Sequence, residues 1–194
     1  DAEPDSDVVL SISSSDTGEA TVTSALTFTS ANWDTAQTVT VTGADDDIID
    51  GTITSTITVS VNDGSSDNNF DSVSDQTVSV TTTDDDVAGF TVAETDGSTS
   101  VDESGTTDTF TVVLDAQPLS NVVLSISSSD SGEATTTSLL TFTSANWDTA
   151  QTVTVTGADD DLIDGTITST LTLAVVGAIT DDDFDAVNDQ TVSV

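Results

Sequence analysis

The stretch "QTVTVTGADDDIIDGT" at residues 37–52 returns as "QTVTVTGADDDLIDGT" at residues 151–166. Val39 and Val41 stand two positions apart with threonines between and around them. That spacing puts apolar side chains on one face of an extended chain and hydroxyls on the other. β-Branched residues suit such a pleated, half-buried surface. Gly43 follows, then Asp45, Asp46, Asp47 and Asp50, and an Asp-Gly turn signal at Asp50-Gly51. The block therefore reads as a strand that ends in an acidic loop.

The same alternation extends along the chain. Phe90, Val92 and Glu94 are followed by Val101, then by Phe110, Val112 and Leu114, and by Val122, Leu124 and Ile126. Leu140 and Phe142, Val153 and Val155, a long run from Ile167 to Val175, and Val192 with Val194 complete the pattern. "DGS", "ESG", "DSG" and "IDG" turn signals lie between them, and no segment carries an apolar stripe at helical spacing. About seven strands in some 110 residues indicate an all-β fold of tandem immunoglobulin-like, Greek-key β-sandwiches. Trp33 and Trp147, each in "TSANWDTAQTV", are expected to cap the cores, as Trp does in small sandwiches. Stacking on a carbohydrate is the other use open to them.

Repetition sets the domain plan. Residues 8–80 align with 122–194 without a gap, and 57 of 73 positions are identical. The expected units are 1–86, a first repeat without its N-terminal strands, and 87–194, a second repeat without its terminal Asp run. The segment 87–114 occurs once, between the copies. Asp1 matches Asp115, there is no initiator Met and no signal peptide, and the chain reads as a processed product or part of a longer tandem array. Completion of the first repeat by strand exchange with a neighbouring molecule, as in a self-assembling filament or sheath, is a second organisation to be weighed.

Charge narrows the function further. The chain has 36 acidic residues, 31 Asp and 5 Glu, with no Lys, Arg or His, for a formal charge of −36. Without a basic patch it has nothing to offer phosphate, which excludes nucleic acid as an electrostatic partner and disfavours anionic membranes. The longest apolar run, "LAVVGAI" at 173–179, is too short to span a bilayer as a helix. There is no Cys, hence no disulfide and no thiolate metal site. Carboxylates are the only acid–base groups, and no spaced pair marks a glycosidase, so the chain reads as a non-enzyme. The "DTG" at 16–18 and "DSG" at 130–132 lack the apolar strand that precedes an aspartic-protease dyad.

Metal cations are the natural partners of such clusters. Calcium takes 6–8 oxygen ligands at about 2.3–2.6 Å, whereas magnesium keeps more water and zinc favours His or Cys. The alternative is that the acids only solvate the surface or suit a saline habitat. Their place beside glycine turns and at strand ends, away from the threonine faces, favours ligation. The loop is not an EF-hand, because the twelfth position from Asp45 is Thr56, where a bidentate Glu is required.

The succession "VDESG", "FTVVLDAQP", "VVLSISSSD", "LTFTSANWDTAQTVTVTGADDD" and "TVSVTTTDDD" resembles the Calx-β family and its bacterial surface-protein relatives. The resemblance implies a seven-stranded sandwich that binds calcium at one end through acidic loops and a terminal Asp run. It implies Asp45, Asp46, Asp47, Asp50, Asp84, Asp85 and Asp86 as ligands of the first repeat. For the second it implies Glu103, Asp159, Asp160, Asp161 and Asp164, with Asp16 and Asp130 as further candidates. Two departures stand out: the first copy lacks a "VDE", and the second lacks the terminal "DDD". The function so implied is a calcium-stabilised extender or stalk of a secreted or cell-surface adhesin. Its partners would be calcium, neighbouring repeats and other copies of itself. The absence of Lys and Arg removes every trypsin site, which suits an exposed stalk.

Overall fold

The computed structural model describes residues 2–163 and 165–194, and it is all-β apart from single-turn 3₁₀ segments. It divides into two compact units. The first comprises Asp1–Asp46 and Asp50–Asp84. The second comprises Asp85–Val194 together with Asp47–Ile49.

The second unit is a closed sandwich. Its strands are β7 (Phe90–Glu94), β8 (Thr107–Leu114), β9 (Val122–Ser128), β10 (Ala134–Thr136), β11 (Leu139–Phe142), β12 (Gln151–Gly157), β13 (Thr170–Val175) and β14 (Gln190–Ser193). One sheet has the order β10-β12-β8-β7 and the other β11-β9-β13-β14, with antiparallel neighbours throughout. The chain changes sheet at each step from β9 to β13, which is the Greek-key signature of the immunoglobulin-like class. Period-two alternation does the rest. Phe110, Val112 and Leu114 of β8 meet Val122, Leu124 and Ile126 of β9 in one core, closed by Phe90, Phe142, Val153, Val155 and Phe184. Trp147 packs partly buried against this core, and its carbonyl accepts the Leu114 N–H at 3.1 Å.

The first unit repeats only part of this plan. Its strands are β1 (Val8–Ser14), β2 (Ala20–Val22), β3 (Ala25–Phe28), β4 (Val41–Gly43), β5 (Ile53–Val61) and β6 (Gln76–Thr82). The four-stranded sheet β3-β1-β5-β6 matches β11-β9-β13-β14, and the pair β2-β4 matches β10-β12. Among the described residues of this unit, no strand pair stands where β7 and β8 stand in the second.

Two expectations need correction. Val101 lies outside any strand and packs against the core from a loop. The strand drawn from Ile167 begins at Thr170, because its ladder with β14 ends at Ser169 and Val194, which exchange backbone hydrogen bonds at 2.8 and 2.9 Å. In the first unit Thr81 and Thr82 continue the partner strand, and β5 there starts at Ile53.

Gly157 is required where it stands. A Cβ at this position would collide with the backbone of Asp102, in the loop before β8. At the equivalent Gly43 the nearest heavy atom to such a Cβ is Thr82 Cγ2 at 3.8 Å. Gly157→Ala is therefore expected to cost the second unit roughly 1–3 kcal/mol through backbone displacement. Gly43→Ala should stay within about 0.5 kcal/mol. Urea unfolding of the two variants measures the contrast, and equal costs would contradict it.

Candidate metal centre

The acidic loops of the first unit meet at one pole because its strands end there. Pairing of Ala20 with Gly43 brings the residue before β2, Glu19, beside the loop that leaves β4. The Glu19 carbonyl accepts the Ala44 N–H at 2.8 Å and the Thr82 hydroxyl at 3.1 Å, which ties the ends of β2, β4 and β6 together. Glu19, Asp46 and Asp50 each place a carboxylate oxygen within 4.8 Å of the other two. Among the described residues this is the one such group of three.

Asp84, from the run after β6, organises the loop. Its Oδ2 accepts the N–H of Asp50 at 3.1 Å and of Gly51 at 2.9 Å. Gly51 has φ +76°, a left-handed conformation that glycine adopts without steric cost. The Asp-Gly turn and the terminal Asp run thus cooperate to aim Asp50 at Glu19.

The electrostatics are one-sided. Partial burial pushes the Glu19 carboxyl above the usual glutamate range; the charges of Asp50, Asp46 and Asp16 push it the same way, as does the hydrogen bond that protonated Glu19 donates to the Asp50 carboxylate. No side-chain cation exists in the chain to oppose them. A hard divalent cation fits this donor set, since the oxygens are carboxylates of one pole and one sign.

Other candidates are placed differently. Asp45 is exposed and lines a shallow groove with Val41, Val80 and Thr81. The Asp47 carbonyl accepts the Gln117 N–H at 2.7 Å, and Asp47 is grouped with the second unit. Asp85 is exposed, and Asp86 is half-buried in a cleft lined also by Ile49, Asp115 and Gln190. Asp16 Oδ1 accepts the Gly18 N–H at 3.0 Å, and Asp130 repeats this with Gly132 at 3.0 Å. In the second unit Glu103 shares a cavity of about 390 Å³ with Asp102, Glu133, Gly165 and Ser169. Asp159, Asp160 and Asp161 are exposed, and Asp160 Oδ1 accepts the Leu162 N–H at 2.6 Å. Asp164 lies outside the described residues.

Several acids are already satisfied by the backbone. Asp67 and Asp181 are buried, and each pins two loops together. Asp67 accepts from the N–H groups of Asp5, Ser6 and Asn69, and Asp181 from those of Ser120 and Asp183. The Asn69 N–H is the main reason the Asp67 carboxyl lies below the usual range. The Ser104 hydroxyl lowers Asp102, and the Ser100 and Thr109 N–H groups lower Asp108.

Glu19, with its counterpart Glu133, is the residue that sequence reasoning missed. The available signal was its type: only five glutamates occur among 36 acids, and one recurs after each "D(T/S)G".

These shifts fix a pH dependence. Glu19 holds its proton more tightly when folded than when unfolded, so stability falls as pH rises from the ordinary glutamate range through its raised value. Asp67, Asp102 and Asp108 act oppositely: their contribution is present above the ordinary aspartate range and is lost as pH falls through their lowered values. In chelator the first unit is expected to be most stable in mildly acid solution. Glu19→Gln should flatten its decline towards neutral pH in urea titrations, and an unchanged slope would contradict the assignment.

No protein-family model matches the chain, and no curated protein does. Among solved structures it is similar to the S-layer protein rSbsC(31-844), at 16% identity and TM-score 0.40, over 95% of this chain and 19% of that one. Domains 4 and 5 of the S-layer protein SbsC give 16% identity and TM-score 0.39, over 95% and 68% of the two chains. CBD12 from CALX1.2 gives 12% identity and TM-score 0.35, over 90% and 70%. The chain thus spans about a fifth of the first of these proteins. Strand order and register, set out above, define the fold.

Proposed function

We propose that the chain is a calcium-stabilised structural repeat, an extender or stalk segment of a secreted or cell-surface adhesin. The observation that carries this reading is the convergence of Glu19, Asp46 and Asp50 within 4.8 Å in a protein with no side-chain cation. Three carboxylates so placed repel one another, and a bound calcium ion turns that repulsion into cohesion between the ends of β2, β4 and β6. The likeness of "NWDTAQTVTVTGADDD" to the Calx-β family supports the choice of calcium. Near-identical sandwich repeats support a structural role, since repetition multiplies length without changing chemistry. Neighbouring repeats and calcium are then the partners.

Thermal unfolding in calcium, in magnesium and in chelator tests the proposal. A calcium-specific rise supports it. Curves that superimpose at low ionic strength sink it.

A further inference from the structure

Three buried side-chain oxygens have no hydrogen-bond partner among the described residues: Ser55 Oγ, Ser169 Oγ and Thr136 Oγ1. The two serines occupy the same place in the repeat. Ser55 is 1% exposed and Ser169 2%. Both backbones lie in ladders, Ser55 opposite Val80, and Ser169 exchanging hydrogen bonds with Val194 at 2.8 and 2.9 Å. Nearby serines are satisfied: the Ser15 and Ser129 hydroxyls accept the Thr56 and Thr170 N–H groups, each at 2.9 Å. The orphaned hydroxyls stand where alternation calls for an apolar side chain, as at Ile57 and Leu171 two residues on. A buried hydroxyl left in that state is costly.

Both hydroxyls lie at the acidic pole of their own unit. Ser169 lines the cavity of about 390 Å³ that Asp102, Glu103 and Glu133 also line. In the first unit Ile53, the inward residue before Ser55, pairs with Thr82, whose hydroxyl donates to the Glu19 carbonyl at 3.1 Å. Ser55 is therefore one inward step below the tie that holds Glu19, about 6–7 Å along the strand. The orphan recurs in different surroundings. The first unit has Asp84 of the run after β6 at its pole, and the second has the β7–β8 hairpin, whose connecting loop carries Glu103.

Resting on the calcium reading above, we infer that Ser55 and Ser169 hold the core side of the cation in their units through one bound water. In the first unit Glu19, Asp46 and Asp50 supply the charge at the pole, and the buried hydroxyl supplies a neutral partner beneath them. A separation of about 6–7 Å is too long for a direct bond at about 2.3–2.6 Å and suits one water between ion and hydroxyl. The polar cavity at Ser169 is large enough for such a water. A neutral inward contact also avoids burying another carboxylate in a chain of charge −36. The serines are positioning residues, since they act on the ion through its water.

The test removes each hydroxyl, as Ser55→Ala, as Ser169→Ala and as the pair, and reads calcium affinity by calorimetry beside melting in chelator. Affinity is expected to fall about tenfold at the site of each unit changed. Melting in chelator should rise by at least roughly 4 °C, because the alanine leaves no orphaned group. Damaged packing lowers both quantities, so the opposite signs identify the role. Thr136→Val is the control, since Thr136 is the third orphan, lies outside the cavity and has Val22 as its counterpart. It should raise melting equally in chelator and in calcium and leave affinity unchanged. Serine variants that behave like this control overturn the inference. So does a lower melting point in chelator, which would show the hydroxyls satisfied without the ion. An intact calcium shift in the parent chain beside unchanged affinity in the serine variants removes this inference alone. A parent chain whose melting calcium does not move removes the calcium reading and this inference together.

Discussion

In calcium at a hundred times its dissociation constant, the first unit is expected to melt roughly 10–20 °C above its value in chelator. A ligand that binds only the folded state at that concentration adds about 2.7 kcal/mol. For a domain of this size each kcal/mol moves the midpoint by about 4–8 °C. The unit concerned is the one holding Glu19, Asp46 and Asp50, so Asp50→Asn together with Glu19→Gln should abolish most of the shift. Those substitutions should also raise the melting point in chelator, since they remove mutual repulsion. Magnesium at the same concentration should give a much smaller shift, because it binds through fewer protein oxygens. A shift that magnesium matches would mean general screening of a −36 chain and no built site.

Phe142→Ala is expected to destabilise the second unit by about 3–5 kcal/mol, whereas Phe28→Ala should cost the first no more than about 1–2 kcal/mol. The residues are equivalent in the repeat, and both sit at the end of a strand that pairs with its β1 or β9 neighbour. Their surroundings differ. Phe142 is sealed between two sheets, so its removal leaves a cavity that the close-packed core cannot fill. Phe28 faces an open cleft, where water fills the space at little cost. Urea unfolding of each variant gives the two values, and equal losses would refute the difference in packing described above.

The fold class was legible because alternation is local. Val122, Leu124 and Ile126 announce a strand on their own, and the repeat doubles the signal. The short strands β2 and β10 were not legible, since three residues such as Ala134–Thr136 carry no periodicity to read. The difference between β4 and β12 was beyond any local reading. Residues 29–47 and 143–161 are identical, yet the partner β8 extends one strand to seven residues and leaves the other at three. The site was half legible for the same reason. Asp45, Asp46, Asp47 and Asp50 form a visible run, but Glu19 reaches it only through the pairing of Ala20 with Gly43. Asp84 reaches Asp50 from 34 positions away.

Chain order gives the hairpin a kinetic meaning. Phe90–Leu114 leaves the ribosome about forty residues before Gln151–Gly157, an interval of roughly 2–8 s at ordinary elongation rates. A hairpin closes in about 1–10 μs but is marginal alone. The growing chain therefore offers a sampled, exposed edge first and the strand that caps it later. In a tandem array, each sandwich would close from its leading edge while the next is still being made.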